Sequence, residues 1–175
     1  FEARFDPENR PSNGLIDSLQ EDISLALERV SNLDEDRIVK YFLATIMAML
    51  RTNYYQTDGS GERHEYLSCK LDPSLIPGVP LPLPKYEIFI YSTWVEGVHL
   101  RGGKVARGGL RWSDRREDYR TEVLGLVKAH ACFVWLSLVR SPVGALHSND
   151  PGPEGFGNPH TSRCSTIANK LERIA

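Results

Sequence analysis

Arginine and glycine residues are concentrated in one stretch of the sequence, from Arg101 to Arg120. Glycine lets a backbone approach a ligand closely, and the arginine guanidinium is a planar fork that matches a carboxylate or a phosphate. The pattern therefore indicates a site for a small anion, of which a dicarboxylate is one example. The stretch holds two Gly-Gly pairs, 102–103 and 108–109, and lysine or arginine at positions 101, 104, 107, 111, 115, 116 and 120.

Acidic residues in the same stretch support a second interpretation. Asp114, Glu117, Asp118 and Glu122 alternate with the arginines, so much of this charge can form solvated pairs along a helix. Nucleic-acid binding is a weaker third hypothesis, because such domains usually carry a basic surplus and the formal net charge here is -2. The glycines fit neither a Walker A loop nor the dinucleotide-binding fingerprint.

Other sites that the composition could support are not indicated. The three cysteines, Cys69, Cys132 and Cys164, are widely spaced and form no CxxC pair, so we expect reduced thiols in a cytoplasmic protein and no metal site. The apolar stretches are too short to span a membrane, and the start has no signal-peptide pattern. The first residue is Phe1, and we expect the sequence to begin inside a longer protein or after processing.

Regular elements must position the arginine–glycine stretch, and two helices are predicted before it. Asn13 is placed to cap a helix over Leu15–Val30, and Asp34 to cap a second helix that reaches Arg51. Apolar residues recur at three- and four-residue spacing in both. Met47 and Met49 are interpreted as core residues.

Strands and one further helix are predicted around the stretch itself. The residue pattern predicts strands over Tyr66–Leu71, Lys85–Ser92 and Val95–Leu100, and a further strand or extended segment that runs to Gly108-Gly109. A helix is predicted from Ser113 or Asp114 to His130. The proline-rich segment Pro73–Pro84 is predicted to be an extended connector, with a ligand for a proline-binding domain as the alternative. The fold class is therefore mixed α/β or α+β.

The sequence changes character after Lys128. Residues 129–175 contain many loop-forming residues, and only Cys132–Val139 is typical of a strand or helix continuation. A short helix is predicted over Ser165–Ile174. The domain organisation expected is a helical region over 1–56, part of a larger domain over 57–128, and a divergent, poorly ordered tail over 129–175.

Residues 107–126, Arg-Gly-Gly-Leu-Arg-Trp-Ser-Asp-Arg-Arg-Glu-Asp-Tyr-Arg-Thr-Glu-Val-Leu-Gly-Leu, resemble the substrate-domain signature of the large bacterial NAD-specific glutamate dehydrogenases. The resemblance continues back through Val95–Leu100, Lys70–Ser74 and Leu50–Gln56 to Phe1–Asp6, and so covers about residues 1–128. It implies oxidation of L-glutamate with NAD and water to 2-oxoglutarate, ammonium and NADH. It also implies a homo-oligomer in the full-length family.

The resemblance further implies which residues meet the substrate. Smaller glutamate dehydrogenases have a Lys-Gly-Gly-Leu-Arg segment whose lysine helps to hold a substrate carboxylate. By that resemblance Arg107 grips a carboxylate, and Gly108 and Gly109 lie close to the substrate. Arg111 is expected to be structural. His64 and His99 are interpreted as surface or packed histidines rather than catalytic bases.

The sequence departs from the family where the family's catalytic residues follow. The family has a substrate-binding lysine and then a Pro-Val-Gly-x-Lys-Gly-Gly motif with the catalytic lysine. In this sequence, Phe133 stands where the resemblance places the substrate-binding lysine. Pro142-Val143-Gly144-Ala145 is followed by Leu146, and no lysine occurs between Lys128 and Lys170. We therefore predict no catalytic residue and no NAD-binding domain in these residues. The resulting hypothesis is a fragment of an enzyme that is inactive alone, and the alternative is a non-catalytic dicarboxylate-binding or subunit-interaction module.

Overall fold

A computed structural model of the protein describes residues 1–9, 13–93, 95–102, 107–113, 115, 117–129 and 133–140. The helices in these residues are α1 (Glu2–Phe5), α2 (Asn13–Leu27), α3 (Leu33–Ala48) and α4 (Tyr119–Ala129), with a 3-10 turn over Pro73–Leu75. The strands are β1 (Met49–Thr52), β2 (Tyr66–Leu71), β3 (Tyr86–Ser92), β4 (Val95–Arg101), β5 (Arg107–Trp112) and β6 (Phe133–Arg140).

The strands form one mixed sheet in the order β1-β2-β3-β4-β6-β5. Strands β1 to β4 are antiparallel neighbours in chain order, and β4 also pairs antiparallel with β6. Strands β5 and β6 are parallel, and α4 connects them, since parallel neighbours require a crossover. The mixed helix-and-sheet class predicted from the sequence is confirmed at this level.

The second helix is predicted to reach Arg51, and this prediction is wrong at the carboxyl end. In the structure α3 ends at Ala48, and Met49–Thr52 forms β1 instead of a last helical turn. The apolar spacing continues through Met49 and Leu50, so periodicity alone could not show the boundary. Pairing decides it: Met49 lies opposite Leu71 in β2, and the backbone N–H of Asp72 donates to the carbonyl of Ala48 at 2.9 Å.

The helix starts also differ from the predicted caps. Asn13 is the first residue of α2, not its cap. Asn32 caps α3, and its side-chain oxygen accepts from the backbone N–H of Asp34 at 3.0 Å. Asparagine is among the preferred N-cap residues because its oxygen replaces a missing helical acceptor. The predicted cap Asp34 therefore lies inside the first turn, where its negative charge suits the helix dipole.

Apolar side chains of α2 and α3 are largely exposed in the described part of the chain. Phe42 is 66% exposed and Leu15 47%, while Leu27 and Ala48 are buried. The helical spacing thus gives amphipathic helices, but their apolar faces are not covered by the described elements.

A small apolar core lies between α4 and the sheet, and α4 is shorter than the predicted helix. Val123, Leu124 and Val127 of α4 pack on Val98 and Leu100 of β4, and each is at most 3% exposed. The helix begins at Tyr119 rather than at Ser113 or Asp114. The proline-rich segment is not entirely extended either, because Asp72 caps the 3-10 turn over Pro73–Leu75.

Asn53 joins the end of β1 to β2 through two hydrogen bonds. Its Nδ2 donates to the carbonyl of Tyr66 at 2.8 Å, and its Oδ1 accepts from the backbone N–H of Ser68 at 2.7 Å. Asn53 is 4% exposed. We expect Asn53→Ala to lower the free energy of unfolding by about 1–2 kcal/mol, because it leaves two backbone groups without partners. Urea denaturation measures this change. A similar loss in Asn9→Ala, on an exposed loop, would show that the hydrogen bonds are not its cause.

Candidate functional site

The predicted anion-binding residues Arg107, Gly108 and Gly109 open strand β5. Their Cα atoms lie opposite Phe133, Val134 and Trp135 of β6, in parallel register. β5 is the outer strand of the sheet that the structure describes. The segment was predicted to run to Gly108-Gly109, whereas the described strand, Arg107–Trp112, continues past these glycines. The side-chain geometry of these residues lies outside what the structure describes.

Strand β5 is anchored to α4 through the turn that follows it. The Ser113 hydroxyl, which is buried, donates to Glu122 Oε2 at 3.0 Å and accepts from the backbone N–H of Arg115 at 3.2 Å. The Arg115 guanidinium also pairs with Asp118. Arg115 thus pairs with an acidic neighbour, the kind of pair that the second interpretation of the sequence proposed.

A half-buried ion pair fastens α4 to the middle of the sheet. Arg120 Nε donates to Glu87 Oε1 at 2.8 Å, and a terminal guanidinium nitrogen donates to Glu87 Oε2 at 2.7 Å. The paired carboxylate raises the pKa of Arg120, while desolvation opposes this effect. Arg120 belongs to the arginine-rich stretch, yet its role is to hold α4, and with α4 the β5–α4–β6 unit, on β3.

A second group of basic side chains lies on strands β1, β2 and β4. Lys70 lies opposite Ile88, and Ile88 lies opposite His99, so the three share one row across the sheet. Burial, together with the positive charges of Arg101 and Lys70, lowers the pKa of His99 from 6.5 to about 4. Burial and the charges of Arg51 and Arg101 lower the pKa of Lys70. The sequence analysis did not connect these residues, because they are far apart in the chain.

His99 and His64, which the sequence analysis interpreted as surface or packed residues, differ in burial. His99 is 5% exposed, and the ring of His64 stacks on Tyr66 with centroids 5.5 Å apart. Phe133, which the resemblance in the sequence placed at the position of a family lysine, begins β6. The segment Pro142–Leu146 lies outside the described residues, as does Ser165–Ile174. Across the residues that the structure covers, no cluster could hold a metal ion, and no helix is long and apolar enough to cross a membrane.

The fold and the position of the arginine–glycine strand define a class. A mixed sheet in which the strand that carries the Arg-Gly-Gly segment enters a β-α-β unit belongs to the α/β class. Comparison with known proteins then identifies the family. A family model described as "Bacterial NAD-glutamate dehydrogenase, catalytic domain" matches residues 22–146, and the chain belongs to this family.

Curated relatives agree with the family match. The NAD-specific glutamate dehydrogenase of Halomonas elongata is 57% identical over 129 residues, which are 74% of this chain and 8% of the relative. The Pseudomonas aeruginosa enzyme is 60% identical over 127 residues, 73% of this chain and 8% of the relative. The Mycobacterium tuberculosis enzyme is 49% identical over 148 residues, 83% of this chain and 9% of the relative. The chain thus spans under a tenth of the length of these relatives.

The resemblance recognised in the sequence is confirmed, and the family match reaches further than expected. It continues to residue 146 rather than stopping near Lys128. Strand β6, which lies in this added part, pairs with both β4 and β5. The strand-or-helix continuation predicted for Cys132–Val139 is therefore a strand over Phe133–Arg140 and a full member of the sheet.

Proposed function

We propose that this chain is part of the substrate domain of an NAD-dependent glutamate dehydrogenase. The reaction of the whole enzyme is L-glutamate, NAD and water to 2-oxoglutarate, ammonium and NADH. The observation that supports this function is the Arg107-Gly108-Gly109 segment at the start of β5, inside the residues that match the family. The whole enzyme is a homo-oligomer in the cytoplasm under this proposal.

Each residue of the segment has a separate role. The Arg107 guanidinium binds one carboxylate of L-glutamate or 2-oxoglutarate through a charge-assisted hydrogen bond. Gly108 and Gly109 carry no side chain, so the substrate can approach the backbone of β5 closely. Ser113, Glu122 and the Glu87–Arg120 pair act at a distance, because they fix α4 and the end of β5 on the sheet.

The residues around the β5–α4 turn do not fit the NAD pyrophosphate. A dinucleotide site on such a unit uses a glycine-rich turn that brings the backbone and the helix N-terminus to the phosphates. Here residues 113–118 are Ser-Asp-Arg-Arg-Glu-Asp, with no glycine and with acidic Glu117 and Asp118 directly before α4. No step involving NAD is assigned to these residues, and NAD binding by the whole enzyme is placed elsewhere.

We expect Arg107→Ala to weaken binding of 2-oxoglutarate to this chain at least tenfold. The loss of one charge-assisted hydrogen bond has about this effect, since 1.4 kcal/mol is a factor of ten in affinity. Isothermal titration calorimetry measures it. Arg115→Ala is the matched control, because Arg115 lies on the same stretch but its side chain is 67% exposed and pairs with Asp118. Equal affinities for Arg107→Ala and the unchanged chain would contradict the proposed site.

The second candidate is a dicarboxylate-binding or subunit-interaction module without chemistry. The missing lysines favour it, since Phe133 and Leu146 cannot activate a water and no lysine occurs between Lys128 and Lys170. Under either candidate we expect that this chain alone forms no NADH from glutamate and NAD. The measurement is the absorbance at the NADH band over time. A rate that requires glutamate and disappears in Arg107→Ala would show that this chain is itself an active enzyme.

A further inference from the structure

Helix α2 has an apolar face that no described element covers. Leu15, Leu19 and Ile23 follow one another at four-residue spacing and therefore lie on one side of the helix. Their exposed fractions are 47%, 40% and 38%. Within the described residues the principal contact of α2 is with α1, a helix of only four residues. Because most of the stability of a helix in a protein comes from packing of its apolar face, this face is suited to a further partner.

The charges of α2 restrict what that partner can be. The helix contains Asp17, Glu21 and Asp22 and no lysine or arginine, and all three acidic residues are exposed. Asp22 is three residues after Leu19, so it borders the apolar face. Two copies of α2 packed face to face would bring like charges together, which disfavours self-association through this helix. The complementary partner is an apolar helix face bordered by lysine or arginine.

The sequence of this chain contains such a segment outside the described residues. A helix is predicted over Ser165–Ile174 from the residue pattern. Ile167, Leu171 and Ile174 recur in it at four- and three-residue spacing, which places them on one side of a helix. The apolar pattern therefore repeats that of α2 over a comparable length.

The charges of this segment are opposite to those of α2. Lys170 is three residues after one of its apolar residues and four before another, so it borders their face as Asp22 borders the face of α2. Arg163 and Arg173 add positive charge, and Glu172 is the one acidic residue in the sequence from 163 to 174. Opposite charges beside an apolar contact favour this pairing over pairing of two acidic helices.

The intervening residues are numerous enough for the segment to reach α2. Helix α2 lies towards the β1 edge of the sheet, because it contacts α1, which places Phe5 against Met49 of β1. Four strand spacings separate β6 from β1, which is about 19 Å. Residues 141–164 link Arg140, the last residue of β6, to the segment. A flexible chain of this length has an end-to-end distance of about 25–30 Å, so both helices can meet within one chain.

We propose that residues 165–174 dock as a helix on the apolar face of α2 in the same chain, with Lys170 beside Asp22. The contact removes the apolar side chains of both segments from water. It involves neither strand β5 nor the Arg107–Gly109 segment, so it does not depend on the proposed function.

Hydrogen exchange of the α2 amides, measured by mass spectrometry on the full chain, tests the contact. Leu171→Asp places a charge within the apolar face of the segment and should accelerate exchange of α2 by about tenfold or more. Asn169→Asp is the matched control, because it adds the same charge on the opposite side of the predicted helix, and it should leave exchange unchanged. The amides of β3 should be unaffected in both variants. Equal exchange of α2 in Leu171→Asp and in the unchanged chain would overturn the proposal.

A charge exchange tests the predicted neighbours. Asp22→Lys and Lys170→Glu each place like charges beside the contact, and each should accelerate exchange of α2 by about two- to fivefold, the effect of an exposed ion pair. The double variant restores opposite charges and should exchange as the unchanged chain does. Multiplication of the two single effects in the double variant would show that these side chains do not meet, and would refute the proposed docking.

A spin label at Cys164 distinguishes contact within one chain from contact between two copies. Cys164 directly precedes the segment, Cys69 is buried, and Cys132→Ser removes the remaining thiol. The label should broaden the NMR methyl signals of Leu15, Leu19 or Ile23 when label and isotope are on the same chain. It should leave them sharp when label and isotope are on separate chains in one sample. Broadening in the mixed sample, or in neither sample, would contradict docking within one chain.

Discussion

Arg120→Met is expected to lower the free energy of unfolding by roughly 3 kcal/mol, at the low end of the range for breaking a buried ion pair. Methionine keeps most of the apolar stem but removes the guanidinium that forms two hydrogen bonds with Glu87. The Glu87 side chain is only 10% exposed, so its carboxylate remains buried without its counter-ion. Arg120 is 31% exposed, and water can enter there, which is why the larger values of the range are not expected.

Two comparisons isolate the pair. Glu87→Leu combined with Arg120→Met should recover most of the loss, because replacing both charges by apolar groups leaves no buried charge unpaired. Lys40→Met breaks the pair with Asp36 on the surface of α3, where Lys40 is 60% exposed, and should change stability by less than about 0.5 kcal/mol. Chemical denaturation provides all three values. An Arg120→Met chain as stable as the Lys40→Met chain would show that the pair does not hold α4.

The second large effect is a loss of stability when the pH falls from about 6.5 to about 4. His99 is buried in its neutral form, and its pKa falls from 6.5 in the unfolded chain to about 4 in the folded one. In this window the unfolded state binds more protons than the folded state, so the free energy of unfolding decreases as the pH decreases. The contribution of neutral His99 to the free energy of unfolding is fully present above pH 6.5. Roughly 3 kcal/mol of it is lost by pH 4, since one pKa unit corresponds to 1.36 kcal/mol.

His99→Gln should remove this part of the pH dependence, because glutamine has a similar polar end but does not titrate. Urea denaturation at intervals between pH 4 and pH 7 gives the free energy of unfolding against pH for both chains. Subtracting one curve from the other removes the contribution of the carboxylates that both chains share. His64→Gln is the control, since His64 stacks on Tyr66 at the surface end of β2. Parallel curves for His99→Gln and the unchanged chain would show that His99 does not titrate in this window.

Local patterns in the sequence predicted the central elements well. Tyr66–Leu71 is β2 as predicted, and β3 and β4 differ from their predicted ranges by one residue at one end. These strands alternate and are bounded by residues that break strands, so the signal is local. The helix predicted to reach Arg51 failed because the decisive interaction of Met49, its pairing with Leu71, is not local.

The same distinction applies to the residues of the proposed site and of the ion pair. Arg107, Gly108 and Gly109 could be proposed from the sequence because the motif is contiguous. Glu87 and Arg120 are in different elements, and Lys70 and His99 meet only when β2 and β4 pair with β3. Spacing in one dimension carries no information about such pairs. The sequence offered one signal for the second pair: Lys70 is a charged residue inside a predicted strand, next to the apolar Leu71.

The parallel pair gives the sheet a polarity that its antiparallel strands lack. Trp112, the last residue of β5, lies opposite Leu138, two residues before β6 ends at Arg140. Both strands therefore finish at the same edge of the sheet. Ser113 and Arg140 thus lie at the same edge of the sheet, although roughly the span of one β-α-β unit separates them in sequence.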